Sequence, residues 1–153
     1  VNQTGFPGWA HMLEGGRTTM SEFWDLKGSH NHVMMGSIDA WFYRILAGIQ
    51  PDETRPGFAH VVIKPFIPDN LSFVRASTQT VRGRVAVEWT NKNGSLQLKV
   101  AIPANSTATV YVPATSAKQS QSTPVLKPVR FEKGAVVYEI GSGDYEFRAA
   151  SAK

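Results

Sequence analysis

The spacing of apolar residues changes character near residues 50–57 of this 153-residue chain. Before that point, apolar side chains recur at intervals of three and four, which is typical of an amphipathic helix. They are Met34, Ile38, Trp41, Phe42, Ile45, Leu46 and Ile49. Gly48 and Pro51 mark the end of the pattern, because glycine favours a helix terminus and proline cannot continue a helix. The pattern predicts a helix over residues 31–48.

A shorter helix is predicted over residues 7–15, where Trp9, Met12 and Leu13 share one face. Two helices cannot bury their apolar faces alone. We therefore expect them to pack against further helices of a longer protein. The alternative is that the helices pack onto the rest of this chain or form a homodimer through their exposed faces.

After residue 57, apolar and polar residues alternate, which is typical of half-buried β-strands. Residues 91–94 form a turn signal between two such alternating runs. About seven short strands, with turn signals every eight to twelve residues, predict an antiparallel β-sandwich. A polar loop is predicted over residues 114–124. The chain is thus predicted as an α+β arrangement, with a pair of helices in residues 1–56 and a β-sandwich in residues 57–153.

The amino-acid composition argues against some classes of partner and site but does not assign a function. Hydrophobic residues make up 42% and charged residues 18%, so a packed core is expected. The sixteen Lys and Arg residues are scattered, which argues against a nucleic-acid partner despite a net charge of +4. No apolar run has membrane-spanning length, and the absence of Cys excludes disulfides and Cys-ligated metals. The start at Val1 suggests a piece of something longer.

The residues with the most chemistry lie in one non-periodic stretch. Glu22, Trp24, Asp25, His30 and His32 fall within eleven positions. Carboxylates do acid and base work on a glycosidic bond, and imidazoles and carboxylates bond sugar hydroxyls. An aromatic ring covers the apolar face of a pyranose. The stretch therefore favours a carbohydrate site.

A metal site is the rival interpretation of the same stretch, with His30, His32 and Asp25 as ligands. On a helix, however, residues two positions apart point about 200° away from each other. A further nitrogen or thiolate ligand is not evident. We therefore predict neither a metal nor a cofactor.

Ordered motifs then give the chain a family resemblance. Residues 12–25 resemble the segment near the end of the catalytic domain of bacterial α-L-rhamnosidases, glycoside hydrolase family 78, which reads Gly-Ala-Thr-Thr, an apolar residue, then Trp-Glu-x-Trp. Residues 29–44 resemble that family's Ser-x-Asn-His…Gly…Trp-x-Tyr-Arg helix. Further matches cover the exit from the helical domain and the end of the chain, namely residues 47–49, 51–52, 56–58, 63–65, 103–113 and 141–147. The resemblance therefore runs over nearly the whole chain.

This resemblance implies an inverting hydrolase of rhamnose-containing glycosides, with an (α/α)6 barrel followed by a β-sandwich. It assigns the general base to Glu22, a rhamnose contact to His32 and a pocket-lining role to Trp24. The general acid belongs to an upstream part of the barrel, so the isolated chain is expected to be inactive. Two departures stand out: Ser21 replaces a Trp, and the spacer that follows residue 25 is short.

The alternative is a non-catalytic β-sandwich module, which either binds carbohydrate or caps the barrel. Its binding platform would come from the aromatic residues of the β half. These are Trp89, Tyr111, Tyr138 and Tyr145. Their alternation with Val and Leu favours the sandwich core instead.

Overall fold

The computed structural model describes residues 3–150, and the chain divides into two compact units, with the boundary in sequence between Trp41 and Phe42. In the first unit, the described residues 3–41 form only short helical pieces. They are α1 (Trp9–Met12), a 3-10 turn (Glu14–Gly16), α2 (Val33–Gly36) and α3 (Ile38–Trp41). The second unit begins with a π-helical segment (Phe42–Leu46) and continues as strands. In the described part of the chain, no helix is long and apolar enough to cross a membrane.

The helices are more broken than the spacing predicts. The helix expected over residues 7–15 is a single α-helical turn that passes into the 3-10 turn, where Gly15 adopts a left-handed φ of 70°. The continuous helix expected over residues 31–48 is interrupted at Ser37 and ends in π-helical geometry. Gly36 directly precedes that interruption, and a Gly-Ser pair is a common site of helix breaks. The domain division after residue 56 stays a prediction.

The second unit is a sandwich of two five-stranded sheets within the described residues. The strands are β1 (Ile49–Pro51), β2 (His60–Ile63), β3 (Phe73–Thr80), β4 (Gly83–Lys92), β5 (Ser95–Ile102), β6 (Thr107–Pro113), β7 (Ser120–Thr123), β8 (Arg130–Glu132), β9 (Ala135–Ile140) and β10 (Gly143–Ala150). The first sheet has the order β1-β2-β6-β9-β8, and the second sheet has the order β3-β4-β5-β10-β7. The sandwich prediction is confirmed, although β2 and β6 pair in parallel.

Alternating residues of both sheets build the core. In β5, Leu96, Leu98, Val100 and Ile102 are buried while the residues between them are not. Trp89 and Tyr138 are 0% and 1% exposed, and the Trp89 Nε1–H donates to the Leu46 carbonyl at 2.8 Å. Neither ring can therefore serve as a surface platform for a sugar.

One strand lies where the sequence predicts a loop. Within residues 114–124, a 3-10 turn at Ala117–Gln119 leads into β7, which pairs antiparallel with β10. The strand sequence Ser-Gln-Ser-Thr has no apolar alternation, because this strand lies at the edge of the second sheet and carries no fully buried side chain. Periodicity alone could not reveal it.

Candidate active site

The site predicted around Glu22 lies in the first unit, on a loop closed by two backbone hydrogen bonds. The His32 amide donates to the Met20 carbonyl at 3.0 Å, and the Glu22 amide donates to the Ser29 carbonyl at 2.7 Å. Residues 23–28 form the turn that the Glu22–Ser29 bond closes, helped by a further bond from the Leu26 amide to the Phe23 carbonyl. The loop thus brings both arms of the sequence motif side by side.

The carboxylate of Glu22 is half-buried and held at one end. Its Oε2 accepts the Ser29 amide N–H at 3.1 Å. No hydrogen bond reaches its Oε1 from any residue in the described range 3–150. One oxygen therefore fixes the orientation of the carboxylate, while the other can accept a proton.

Gly28 makes this arrangement possible, and sequence reasoning missed it. Its φ is +77°, a left-handed conformation that favours glycine. A Cβ on this residue would lie 2.7 Å from the Glu22 Oε2, too close for an ordinary contact. The Gly-Ser pair at positions 28 and 29 is the only sequence signal that could have pointed to the tether.

Trp24 and His32 flank the same loop. Trp24 is half-buried, and its ring meets the Trp9 ring edge-on with centroids 5.2 Å apart. Trp9 is itself anchored through its Nε1–H, which donates to the Met35 carbonyl at 3.0 Å. His32 is also half-buried, and within residues 3–150 its side chain makes no hydrogen bond with Glu22. The structure thus brings the three predicted residues onto one loop without linking them directly.

The neighbouring carboxylates are occupied by local partners. Asp25 pairs with Lys27 at 3.2 Å, and hydrogen bonds from Lys27 lower the pKa of the Asp25 carboxyl. Glu14 pairs with His11 at 3.1 Å. Among the described residues, no three His, Cys, Asp and Glu side chains form a group that could hold a metal ion.

Comparisons with known proteins match both units. Residues 48–127 match the family model of the bacterial alpha-L-rhamnosidase C-terminal domain. Residues 1–46 match that of the bacterial alpha-L-rhamnosidase 6 hairpin glycosidase domain. The two matches adjoin at the start of the sandwich.

Individual relatives agree with the family models. An alpha-L-rhamnosidase of Streptomyces avermitilis is 34% identical over 96% of this chain, and one of Formosa agariphila is 30% identical over 97%. The chain spans only 15% and 18% of the lengths of these two relatives.

Solved structures share the fold. The crystal structure of Streptomyces avermitilis alpha-L-rhamnosidase complexed with L-rhamnose superposes with a TM-score of 0.88 at 34% identity, covering 97% of this chain and 15% of that one. The alpha-L-rhamnosidase from Dictyoglumus thermophilum gives a TM-score of 0.86 at 31% identity, covering 99% of this chain and 18% of that one.

Proposed function

Because this chain belongs to the bacterial α-L-rhamnosidase family, we propose that it provides the general-base side of an active site that hydrolyses terminal α-L-rhamnosides with inversion. Glu22 is the base. The general acid comes from an upstream part of the longer protein, since the chain spans only 15–18% of its relatives.

The observation that carries this proposal is the asymmetric environment of the Glu22 carboxylate. The Ser29 N–H holds Oε2, and Oε1 has no partner among the described residues. In the reaction, Oε1 takes a proton from a water whose oxygen attacks the anomeric carbon. The bond to the glycosidic oxygen breaks, and the distant acid protonates that oxygen.

An inverting reaction requires two carboxyl groups about 6.5–9.5 Å apart, on opposite faces of the sugar. Asp25 and Glu14 are unsuited to the second role, because each is paired with a basic neighbour on its own short segment. We therefore place the acid on helices that the family's six-hairpin domain supplies outside this chain. The isolated chain is then expected to have no hydrolase activity.

Trp24 and His32 are the substrate contacts in this proposal. The Trp24 ring is held by Trp9 and can cover the apolar face of a rhamnose ring. The His32 backbone is fixed by its bond to Met20, so its imidazole is presented from a defined position to sugar hydroxyls.

Exposed apolar side chains support the proposal that helices outside this chain pack against the first unit. Val33 and Met34 on α2 are 87% and 63% exposed, and Phe6 and Phe23 are 62% and 53% exposed. Contiguous exposed apolar surface marks an interaction site, and Val33 and Met34 are neighbours on α2. We propose that the rest of the six-hairpin domain packs here; a homodimer through the same residues is the competing arrangement.

A chimeric enzyme tests the proposal. This chain replaces the matching part of the Streptomyces avermitilis relative, and hydrolysis of 4-nitrophenyl α-L-rhamnopyranoside is measured. We expect turnover, with β-rhamnose as the first product by NMR. Glu22→Gln should lower kcat by roughly 10²–10⁴-fold, the usual contribution of a general base.

Two further variants make the test specific. Asp25→Asn is the matched control, and its kcat should remain near that of the parent chimera. In Glu22→Ala, added azide should restore turnover and give β-rhamnosyl azide, because a small anion can attack without a base. An active chimera whose Glu22→Gln variant keeps full kcat would falsify the assignment of the base.

A further inference from the structure

A row of charged side chains crosses the outer face of the second sheet. The strand register places Arg75 on β3 opposite Glu88 on β4, and Glu88 opposite Lys99 on β5. Lys99 in turn lies opposite Glu146 on β10, which lies opposite Thr123 on β7. The sign of the charge alternates over the first four strands, and the row, which ends at the neutral Thr123, spans four strand spacings of about 4.8 Å each.

The neighbouring row on the same face has two alanines at its centre. Ala86 on β4 pairs with Ala101 on β5, and Ala101 pairs with Asp144 on β10. Two methyl groups stand here between long polar side chains, with Arg84 further along β4. The result is a groove of about 530 Å³, a volume within the usual range of small-molecule sites.

Internal ion pairs hold the walls of the groove in place. Arg75 donates two hydrogen bonds to Glu88, at 3.0 and 3.1 Å. Glu146 accepts hydrogen bonds from Gln97 and Arg148, both at 2.7 Å. Hydrogen bonds, from Arg75 to Glu88 and from Arg148 and Gln97 to Glu146, lower the pKa of each carboxyl group, and the charge of Lys99 adds a smaller effect.

The charge of the groove restricts what can bind there. Its lining contains three cationic and three anionic side chains, so a polyanion and a polycation each meet repulsion as well as attraction. A hydroxyl group both donates and accepts, and it can therefore bond to guanidinium, ammonium and carboxylate groups in turn. The alanine floor offers apolar surface for C–H groups.

We propose that this groove binds a neutral linear oligosaccharide, lying across the strands with its hydroxyl groups on the charged row and its C–H groups on the alanine floor. The groove lies wholly within the second unit. Binding there requires neither Glu22 nor the general acid, and the inference does not rest on the hydrolase proposal.

Calorimetric titration of the whole chain tests this inference. The probes are the neutral sugars cellohexaose, xylohexaose and mannohexaose, with hexagalacturonate as the anionic comparison. We expect saturable binding of at least one neutral probe with Kd below about 1 mM. If none of the three saturates, or if hexagalacturonate binds more tightly than all of them, the inference is wrong.

Matched variants locate the binding. Lys99→Met removes a donor from the row, and Ala101→Leu fills the floor; each should weaken binding at least tenfold. Lys92→Met makes the same chemical change on β4 outside the groove and should leave Kd unchanged. Circular dichroism checks that all three variants keep the sandwich. Equal affinity in the Lys99 and Lys92 variants would place the sugar elsewhere and overturn the assignment.

Discussion

The two compact units of this chain differ in what stabilises them. The second unit has one continuous core, to which both sheets contribute fully buried side chains such as Trp89 and Phe147. Among the described residues up to Trp41, Met12 is the one fully buried large apolar side chain, and Val33 is 87% exposed. The sandwich can therefore be stable through its own core, whereas the first unit depends on local hydrogen bonds and short helical turns.

The unit with the large core and the unit with the candidate active site are therefore different parts of the chain. Stability is not uniform across a structure, and functional loops come from its less stable parts. The loop that carries Glu22 lies in the unit with little core, and its geometry depends on bonds such as that from the Ser29 amide to the carboxylate. The rigid sheets of the second unit instead carry the proposed sugar groove. Mutations in the two units should therefore change different measurable properties.

The largest expected effect is loss of the central tryptophan of the sandwich. Trp89→Ala should lower the free energy of unfolding by about 3–5 kcal/mol, because it leaves a cavity and an unpaired Leu46 carbonyl. Urea unfolding followed by the strand signal in circular dichroism measures this change. Trp24→Ala is the control, since its half-buried ring lies in the first unit. A loss of equal size in both variants would mean that the units unfold as one.

A smaller effect is expected at a glycine that enters the sandwich. Gly48 has a φ of +75°, and a Cβ there would lie 2.2 Å from the Pro65 nitrogen. Gly94 has nearly the same φ, +76°, but nothing lies within 4 Å of its Cβ position. Gly94→Ala should therefore lower the free energy of unfolding by about 1–2 kcal/mol, the cost of the left-handed backbone conformation alone. Gly48→Ala adds a backbone clash and should be clearly more destabilising in the same urea experiment; equal losses would contradict the close approach.

The parts of the fold that could be predicted are those with local signals. The β4–β5 hairpin follows from alternation such as Val85 with Val87 and from a turn that directly joins the strands. The parallel pairing of His60 with Thr107 joins residues 47 positions apart, and no local pattern encodes it. The same holds for β7, whose polar sequence gives no period.

In the candidate site, too, the sequence predicts some features and not others. Glu22 is predicted as the base from an ordered motif, which identifies a residue type at a position without giving its geometry. The tether from Ser29 depends on the left-handed backbone at Gly28, and a sequence does not show which glycines adopt that conformation. The outer-face groove was missed because it arises from side chains on five strands that only the sheet order brings together.

The smallest expected change in stability comes from a network of hydrogen-bonded polar side chains on the first sheet, and it distinguishes the second unit from the first. Thr109 Oγ1 donates to the Glu139 carboxylate at 2.7 Å and lies 2.8 Å from the His60 Nε2. Because its only proton goes to Glu139, Thr109 accepts from a protonated Nε2. The His60 ring is 1% exposed and bonded at both nitrogens, and burial lowers its pKa, which favours the neutral form. In the neutral form, Nδ1 accepts from the Thr107 hydroxyl at 2.6 Å.

The stability of the sandwich should therefore fall as the solution is acidified below about pH 6.5. Burial, with Arg55 adding to it, lowers the pKa of His60 from 6.5, while Glu139 and Asp52 oppose this less strongly. Between the two pKa values, His60 binds a proton in the unfolded chain but not in the folded chain. Its contribution to the free energy of unfolding is therefore complete above pH 6.5 and is lost as the pH falls toward the pKa of the folded state. Hydrogen bonds from Thr54, with Arg55, hold the pKa of Asp52 at about 2, so its own loss of stability occurs well below this window.

Urea unfolding between pH 8 and pH 5 measures this dependence. We expect His60→Gln to flatten it, because a glutamine side chain at this position cannot bind a proton in that range. His30→Gln, on an exposed residue of the first unit, should keep the slope of the parent chain. If instead the His30 variant loses the slope and the His60 variant keeps it, the titrating group belongs to the first unit, and the stability of the sandwich does not depend on a neutral His60 in this hydrogen-bonded network.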